Sequence, residues 1–123
     1  MSDHQRIVRA LLEFSQDIRY VAILQDGKLT FRQREHIPDA SVSETDRFEE
    51  LVVNPTLLTL ARHRGDIDCG GLRFLIVGYG NFFQLIREIR GGHISVCLKK
   101  EADLTKLPEK VFEYLNSQFP TLF

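Results

Sequence analysis

The sequence predicts an α+β fold with the element order α-β-β-α-β-β-β-α. Three observations support this: apolar residues near the N-terminus recur at helical spacing, a tight-turn dipeptide then separates two strand-like runs, and glycines divide three apolar runs in the second half. A chain of 123 residues fits one domain, spanning 1–123, and can bury about two thirds of its unfolded surface. We therefore expect one core built from helices and strands.

The first helix is predicted over residues 3–18. Its apolar residues recur at intervals of three, four and seven, as on the buried side of a helix. They are Ile7, Val8, Leu11, Leu12 and Ile18. Ser2 and Gln5 have the spacing of a capping box, which predicts the start of the helix.

A hairpin is predicted next. Residues 19–24, "RYVAIL", are apolar on both faces, which is typical of a strand inside a sheet. Asp26-Gly27 suits a two-residue type I′ turn, which needs positive φ angles. On the return strand Leu29 and Phe31 alternate with polar residues, so we expect one wet face and an outer position in the sheet.

The middle of the chain is predicted to be a loop followed by a helix. Residues 35–46 contain proline, serine and acids without a period, and Ser43 or Thr45 is the candidate helix cap. The acids there favour a solvated helix start, since they complement the helix dipole. They are Asp39, Glu44, Asp46, Glu49 and Glu50. An apolar stripe then begins with Phe48, Leu51 and Val52.

Pro55 interrupts this helical pattern. A proline inside a helix lacks the amide hydrogen and clashes with the preceding turn, at a cost of about 3 kcal/mol or more. Two short helices are the simpler prediction, with Asn54 as the cap of the second and Gly65 as its stop, although a continuous helix stays possible. The apolar surface of the second helix comprises Leu57, Leu58, Leu60 and Ala61.

The last half is predicted as three strands and a closing helix. Residues 72–78, "LRFLIVG", and residues 93–99, "HISVCLK", read as strands. Residues 81–89 fit either a strand or a helix, and the glycines on both sides favour a strand in a three-stranded meander. The closing helix has Pro108 in its first turn. Its predicted buried residues are Val111, Phe112, Leu115 and Phe119.

Composition excludes several classes of function. The net charge of −1 and pI near 6.4 provide no general attraction for nucleic acid or an anionic membrane. No apolar run approaches the length of a membrane span, and the charged N-terminal residues do not resemble a signal peptide, so we expect a cytoplasmic protein. Two separated cysteines, Cys69 and Cys97, indicate reduced thiols, and Cys97 is expected to be buried as a small apolar residue.

Nucleotide-binding motifs are incomplete. The segment "GYGNFF" at 78–83 offers Phe83 where a dinucleotide fingerprint needs a third glycine. The segment "AILQDGKL" has Ala22 at the first glycine position of a P-loop and Leu29 at the hydroxyl position. Gly78 and Gly80 are therefore better explained as turn residues, and no cofactor is expected.

Cysteine and histidine residues provide the only candidates for catalysis. Cys69 with His63 or His93 would form a thiol and base pair, or contribute to a zinc site. The spacing of these residues supports neither possibility, and His4 and His36 are expected to be solvated. We therefore expect no catalytic residue and no metal site.

The order of elements resembles the roadblock family of dynein light-chain-like proteins, within the profilin-like and longin-like group. The most telling residues are 87–115, "REIRGGHISVCLKKEADLTKLPEKVFEYL", which resemble that family's closing hairpin, last strand and connector into the final helix. The resemblance covers nearly the whole chain as an order of elements, but a break at Asn54-Pro55 would depart from the family's single long middle helix. It implies a five-stranded antiparallel sheet with the first and last helices on one face and the middle helix on the other.

The resemblance also implies a homodimer and a role as scaffold or regulator of Ras-like small GTPases. Pairing would use the strand after the middle helix, whose residues are apolar on both faces and would otherwise leave an exposed edge. The candidate interface comprises Leu72, Phe74, Leu75, Ile76 and Val77 of this strand, with Leu57, Leu58 and Ala61 of the helix. The alternatives are a sensor domain that holds a small ligand or cofactor between sheet and helix, and a Cys/His enzyme.

Overall fold

Five strands form one antiparallel sheet, and helices cover both of its faces. The computed structural model describes residues 2–123, and the strand order is β2-β1-β5-β4-β3. The strands are β1 Ile18–Gln25, β2 Lys28–Gln33, β3 Leu75–Gly78, β4 Phe82–Ile89 and β5 Gly92–Lys99. The helices are α1 Asp3–Phe14, α2 Ser43–Phe48, α3 Asn54–Asp68 and α4 Leu107–Gln118, and a short 3-10 turn covers Pro120–Leu122. The predicted α+β class and five-stranded sheet are confirmed.

The main core lies between the sheet and the helices α1 and α4, on what we call the first face. Alternate residues of β1, β4 and β5 point to this side. The buried members are Ile7, Val8, Leu11, Leu12, Ile18, Val21, Ile23, Leu85, Ile89, Ile94, Val96, Leu98, Leu107, Val111, Phe112, Leu115 and Leu122. These residues include most of the predicted helix stripes, whereas Phe119 is only partly buried against the core.

The predicted hairpin and the two hairpins of the predicted meander are present. Asp26 and Gly27 have φ angles of 52° and 80°, as a type I′ turn requires. Residues 82–89 form a strand, and the Tyr79 amide donates to the Phe82 carbonyl at 2.9 Å to close the turn after β3. The interior position of β1 and the edge position of β2 are also confirmed.

Two predicted boundaries are wrong by a few residues. The first helix ends at Phe14, and Ile18 is the first residue of β1, because Ser15 has extended backbone angles and turns the chain. The strand after the middle helix begins at Leu75 and not at residue 72. Phe74 lies just before it and packs its ring against that of Phe112, with centroids 5.3 Å apart.

The helical path does not break at Pro55, so the prediction of two separate helices is wrong. Helix α2, a π-helical segment Glu49–Val53 and helix α3 follow one another without a gap, and we call residues 43–68 the middle helix. Asn54 has helical angles, and its amide donates to the Glu49 carbonyl five residues back. A π turn absorbs one extra residue, which lets the helix continue past a proline that cannot donate. Asn54 is therefore not a cap, and α2 begins after Val42 without a side-chain cap from Ser43 or Thr45.

The predicted stop at Gly65 is also wrong, because α3 continues to Asp68. Gly70 and Gly71 turn the chain there, with φ angles of 80° and 90°. Gly65 instead permits a close approach: a Cβ atom at this position would lie 3.0 Å from the backbone carbon of Gly71. The returning chain then leads directly into β3.

The middle helix covers the second face of the sheet, and its inward residues up to Asn54 are polar. Glu50 and Asn54 are fully buried, together with Leu58 and Gly65. The exposed large apolar residues of this helix are Phe48, Leu51, Val52, Leu60 and Ile67. The expectation of a buried stripe beginning with Phe48, Leu51 and Val52 is therefore wrong, because the second face presents polar side chains that need partners.

Within residues 2–123, no helix combines the length and the apolar character needed to cross a bilayer.

Candidate functional site

A buried polar cluster joins the middle helix to the second face of the sheet. We define it as Tyr20, Glu50, Asn54, Gln84, His93 and Ser95. Alternation places the strand residues on this face, opposite the first-face core. The polar cluster lies beside buried apolar residues of the same face, among them Ala22 and Cys97.

Glu50 is the centre of the polar cluster. Its Oε1 accepts a hydrogen bond from Asn54 Nδ2 at 2.8 Å and lies 2.9 Å from His93 Nε2. Its Oε2 accepts from the Tyr20 hydroxyl at 2.9 Å. Tyr20, Asn54 and His93 therefore each have Glu50 as a partner, which compensates for part of the cost of their burial.

The remaining members complete the cluster on the sheet. Gln84 Nε2 donates to Ser95 Oγ at 2.5 Å and lies 3.5 Å from Glu50 Oε2. Burial, with the nearby Glu50 charge, raises the pKa of Tyr20, so its hydroxyl stays protonated as a donor. Asn54 Oδ1 is buried without a partner among the described residues. The prediction that the acids of this region form a solvated helix start is thus wrong for Glu50, which is 0% exposed.

A cavity of about 350 Å³ opens beside the polar cluster, and we call it the acidic cavity. It lies between the first half of the middle helix and the second face of the sheet, with the β3–β4 turn at one side. Its lining residues are Tyr20, Ser41, Thr45, Asp46, Phe48, Glu49, Glu50, Tyr79, Phe82, Gln84 and Cys97. No basic residue occurs in this lining, so its formal charge is wholly negative.

Two carboxyl groups of the cavity are only half-buried. Burial raises the pKa of Asp46 and of Glu49, and the Glu50 charge raises both further, while hydrogen bonds from Ser41 and Tyr79 oppose the effect. Tyr79 donates to Glu49 Oε1 at 2.9 Å, and its own pKa is raised to about 12, mainly by burial. The Tyr79 contact ties the β3–β4 turn to the middle helix.

The residues of the predicted interface divide between the two faces of β3. Phe74 and Ile76 pack against the first-face core, so their side chains are held within the chain. Leu75 and Val77 point to the second face by alternation and are half-buried. Among the described residues β3 pairs with β4 alone, which leaves its outer side as a sheet edge.

The helix residues of the predicted interface are less exposed than their neighbours. Leu58 is only 3% exposed and packs within the chain, while Leu57 and Ala61 are half-buried. Leu60 and Ile67 are 65% and 75% exposed, and the sequence did not predict that either lies on the surface. No sequence signal could have found them, because a leucine and an isoleucine at helical spacing favour a buried side.

The structure does not assemble a Cys/His pair. Cys69 is exposed at the end of α3, and its thiol contacts Asp68 at 3.3 Å. His93 is buried in the polar cluster, whereas His63 is exposed. Cys97 is buried as expected, and burial raises the pKa of its thiol well above the ordinary value. Within residues 2–123, no group of three or more His, Cys, Asp or Glu is placed to hold a metal ion.

No protein-family model matches the chain, and no curated protein matches it significantly.

Proposed function

We propose that the protein is a non-enzymatic interaction module of the cytoplasm that forms a homodimer through the outer edge of β3. One observation carries this proposal. Leu75 and Val77 lie on a short edge strand that is half-buried, uncharged and paired on one side only. Natural proteins usually protect an edge strand with charge, proline or a covering segment, and a second copy would serve the same purpose.

The middle helix gives this interface additional apolar area. It packs beside β4, the neighbour of β3, where Arg62 Nη1 donates to Glu88 Oε2 at 2.7 Å. Leu57 and Ala61 of this helix are half-buried and apolar and are the helix residues of the proposed interface, whereas Leu60 and Ile67 are exposed on the side turned away from the sheet. A two-fold arrangement that pairs β3 with its copy can bury residues of both elements.

A role toward a Ras-like small GTPase follows from the roadblock resemblance, and the continuous middle helix supports that resemblance. The departure expected at Asn54-Pro55 is absent, since the π turn carries the helix through. The partner class is proposed by analogy of fold.

Light scattering at micromolar concentration tests the homodimer. Val77→Lys places a charge on the edge and should give a monomer, because a buried unpaired charge opposes strand pairing. Val77 is a sharper test position than Phe74 or Ile76, whose side chains support the chain's own core.

Val42→Lys is the matched control, since Val42 is an exposed apolar residue in the loop before the middle helix. A monomeric wild-type protein, or equal dissociation by both variants, would contradict the proposed interface. Capture of small GTPases by the wild-type protein, identified by mass spectrometry, then tests the partner class separately.

A further inference from the structure

The acidic cavity has the dimensions of a small-molecule site. Its volume of about 350 Å³ lies within the usual range for ligand pockets, about 300–1,000 Å³. The cavity is formed by the first half of the middle helix, the second face of the sheet and two connecting segments. The interface proposed above does not require it.

Aromatic side chains provide much of the cavity wall. The rings of Tyr79 and Phe82 lie 5.4 Å apart between centroids, and Tyr20 and Phe48 also line the space. An aromatic face attracts a cation through its quadrupole, and it also contacts the apolar part of a ligand. Such walls suit an organic cation better than a hydrated inorganic one.

Among the described residues, Asp46 and Glu49 have no basic partner within hydrogen-bonding distance, whereas Glu50 Oε1 lies 2.9 Å from His93 Nε2. Asp46, Glu49 and Glu50 all line it, and no lysine, arginine or histidine does. The guanidinium of Arg19 lies 5.3 Å from the Phe82 ring centroid and donates to the carbonyls of a loop and of the β3–β4 turn. Those acceptors are Pro38, Asp39 and Asn81.

The polar contacts inside the protein leave capacity for a ligand. Asp46 Oδ1 accepts from Ser41 Oγ at 2.6 Å, and its Oδ2 accepts no hydrogen bond from the described residues. Glu49 receives only the Tyr79 hydroxyl, whereas Glu50 is engaged by the polar cluster. An ammonium group with several N–H donors could use the remaining carboxylate lone pairs.

We propose that the acidic cavity binds a small organic ammonium compound. Its charged group lies beside Asp46 and Glu49, and its apolar body contacts the Phe82 ring. Burial and the Glu50 charge raise the pKa of both carboxyl groups, and a bound cation would lower it. The ligand-binding alternative derived from the sequence would thereby gain a defined site between sheet and helix.

The test is a titration followed by two-dimensional amide NMR with 2-phenylethylammonium as the probe. We expect shifts confined to the residues around the cavity and an affinity at least about tenfold higher than that of 2-phenylethanol, the neutral analogue. The anionic analogue 3-phenylpropanoate should not bind. Equal affinity for the alcohol, or no shift with the ammonium probe at millimolar concentration, would overturn the proposal.

Variants locate the site. The double variant Asp46→Asn with Glu49→Gln should weaken binding at least about tenfold, because it removes both charges while keeping an oxygen acceptor. Asp103→Asn with Glu101→Gln is the matched control, since these exposed acids lie in the connector between β5 and α4. Equal weakening by the control pair would show a general charge effect and contradict the assignment.

A third variant tests the cavity without touching a carboxylate. Thr45 is exposed and lines the cavity, so Thr45→Trp should fill the space and abolish binding while the fold is retained. Retained binding in Thr45→Trp would place the probe elsewhere and overturn the proposal.

Discussion

Glu50 is the residue that most affects how the second face is assembled. It is 0% exposed and contacts Tyr20, Asn54 and His93 at distances of 2.8 to 2.9 Å. A buried carboxylate is stable only while its partners stay in place. Glu50 therefore stabilises the second face by accepting hydrogen bonds from several buried polar groups at once, and not through a single ion pair.

Replacement of Glu50 by leucine should destabilise the protein strongly. We expect a loss of about 3–5 kcal/mol in the free energy of unfolding, because His93 and Tyr20 would be left buried without their acceptor. Urea denaturation would measure the change. Glu44→Leu, an exposed position on the same helix, should change stability by less than about 0.5 kcal/mol. A Glu50→Leu protein as stable as wild type would contradict the role of this cluster.

Replacing Asp46 and Glu49 by their amides should change the free energy of unfolding less than Glu50→Leu does, and should stabilise the protein. Their pKa values are raised above the ordinary 3.8 and 4.5, so the folded protein favours the protonated forms and loses stability as the pH rises through the raised values. The double variant Asp46→Asn with Glu49→Gln should therefore be more stable than wild type at pH 7. Solvent screening limits the gain to below about 1 kcal/mol.

Thermal melts of this pair at several pH values provide the measurement. The gain should vanish below the ordinary carboxyl values, since the wild-type groups are then protonated as well. A gain that is the same at pH 3 and pH 7 would exclude titration of these carboxyls as its cause.

The middle helix shows, at the scale of an element, what the sequence could and could not predict. The strands, the three hairpins, α1 and α4 follow from periodicity and turn chemistry, because their apolar residues face the first-face core. The middle helix fails the same test, because Glu50 and Asn54 are inside and Leu51 is outside. The partners of Glu50 on the sheet, Tyr20, Gln84 and His93, come from distant parts of the chain. A pattern of neighbouring residues along the helix therefore cannot predict these contacts.

The candidate site was predictable only in part. The edge position of the strand at Leu75–Gly78 was expected from the resemblance, but the exposure of Leu60 and Ile67 and the burial of Leu58 were not. The acidic cavity has no sequence signal, since its lining comes from the middle helix, three strands and two connecting segments. The prediction that the helix breaks at Pro55 was wrong because a π turn carries the helix through, and a π turn is too rare to predict from one residue.

Gly65 provides a test of how α3 ends. Alanine is the better helix former by about 1 kcal/mol, yet Gly65→Ala should destabilise the protein by about 1–3 kcal/mol. Its Cβ atom would lie 3.0 Å and 3.1 Å from backbone atoms of Gly71 and Leu72, which cannot move as a side chain would. Calorimetry would measure the change, and Gly80→Ala is the control, because nothing lies within 4 Å of a Cβ atom there. A stabilised Gly65→Ala protein would contradict the close approach.

The whole molecule has two sheet edges of different character. The β2 edge carries Lys28 and Arg32, whose charges oppose pairing with another chain. The β3 edge offers Leu75, Ile76 and Val77 without a charge. This asymmetry favours a closed dimer over an open chain of sheets, because only one edge of each copy is free to pair.

The melting temperature of the wild-type protein should therefore depend on its concentration. If unfolding separates two copies, dilution favours the unfolded chains by mass action. We expect the melting temperature to fall on dilution for wild type and to stay constant for Val77→Lys. A wild-type melting temperature that is independent of concentration would argue against a dimer coupled to folding.

The inward polar side of the middle helix also has a consequence for the order of folding. The first-face core gains stability from apolar contacts that tolerate imprecise geometry, whereas the Glu50 contacts form only when several distant groups are already aligned. We expect the middle helix to dock after the rate-limiting step. Asn54→Ala should then mainly accelerate unfolding, while Leu11→Ala in the first-face core should also slow folding, in stopped-flow measurements. The second face, with its cavity, would then be the part of the molecule that opens first and closes last.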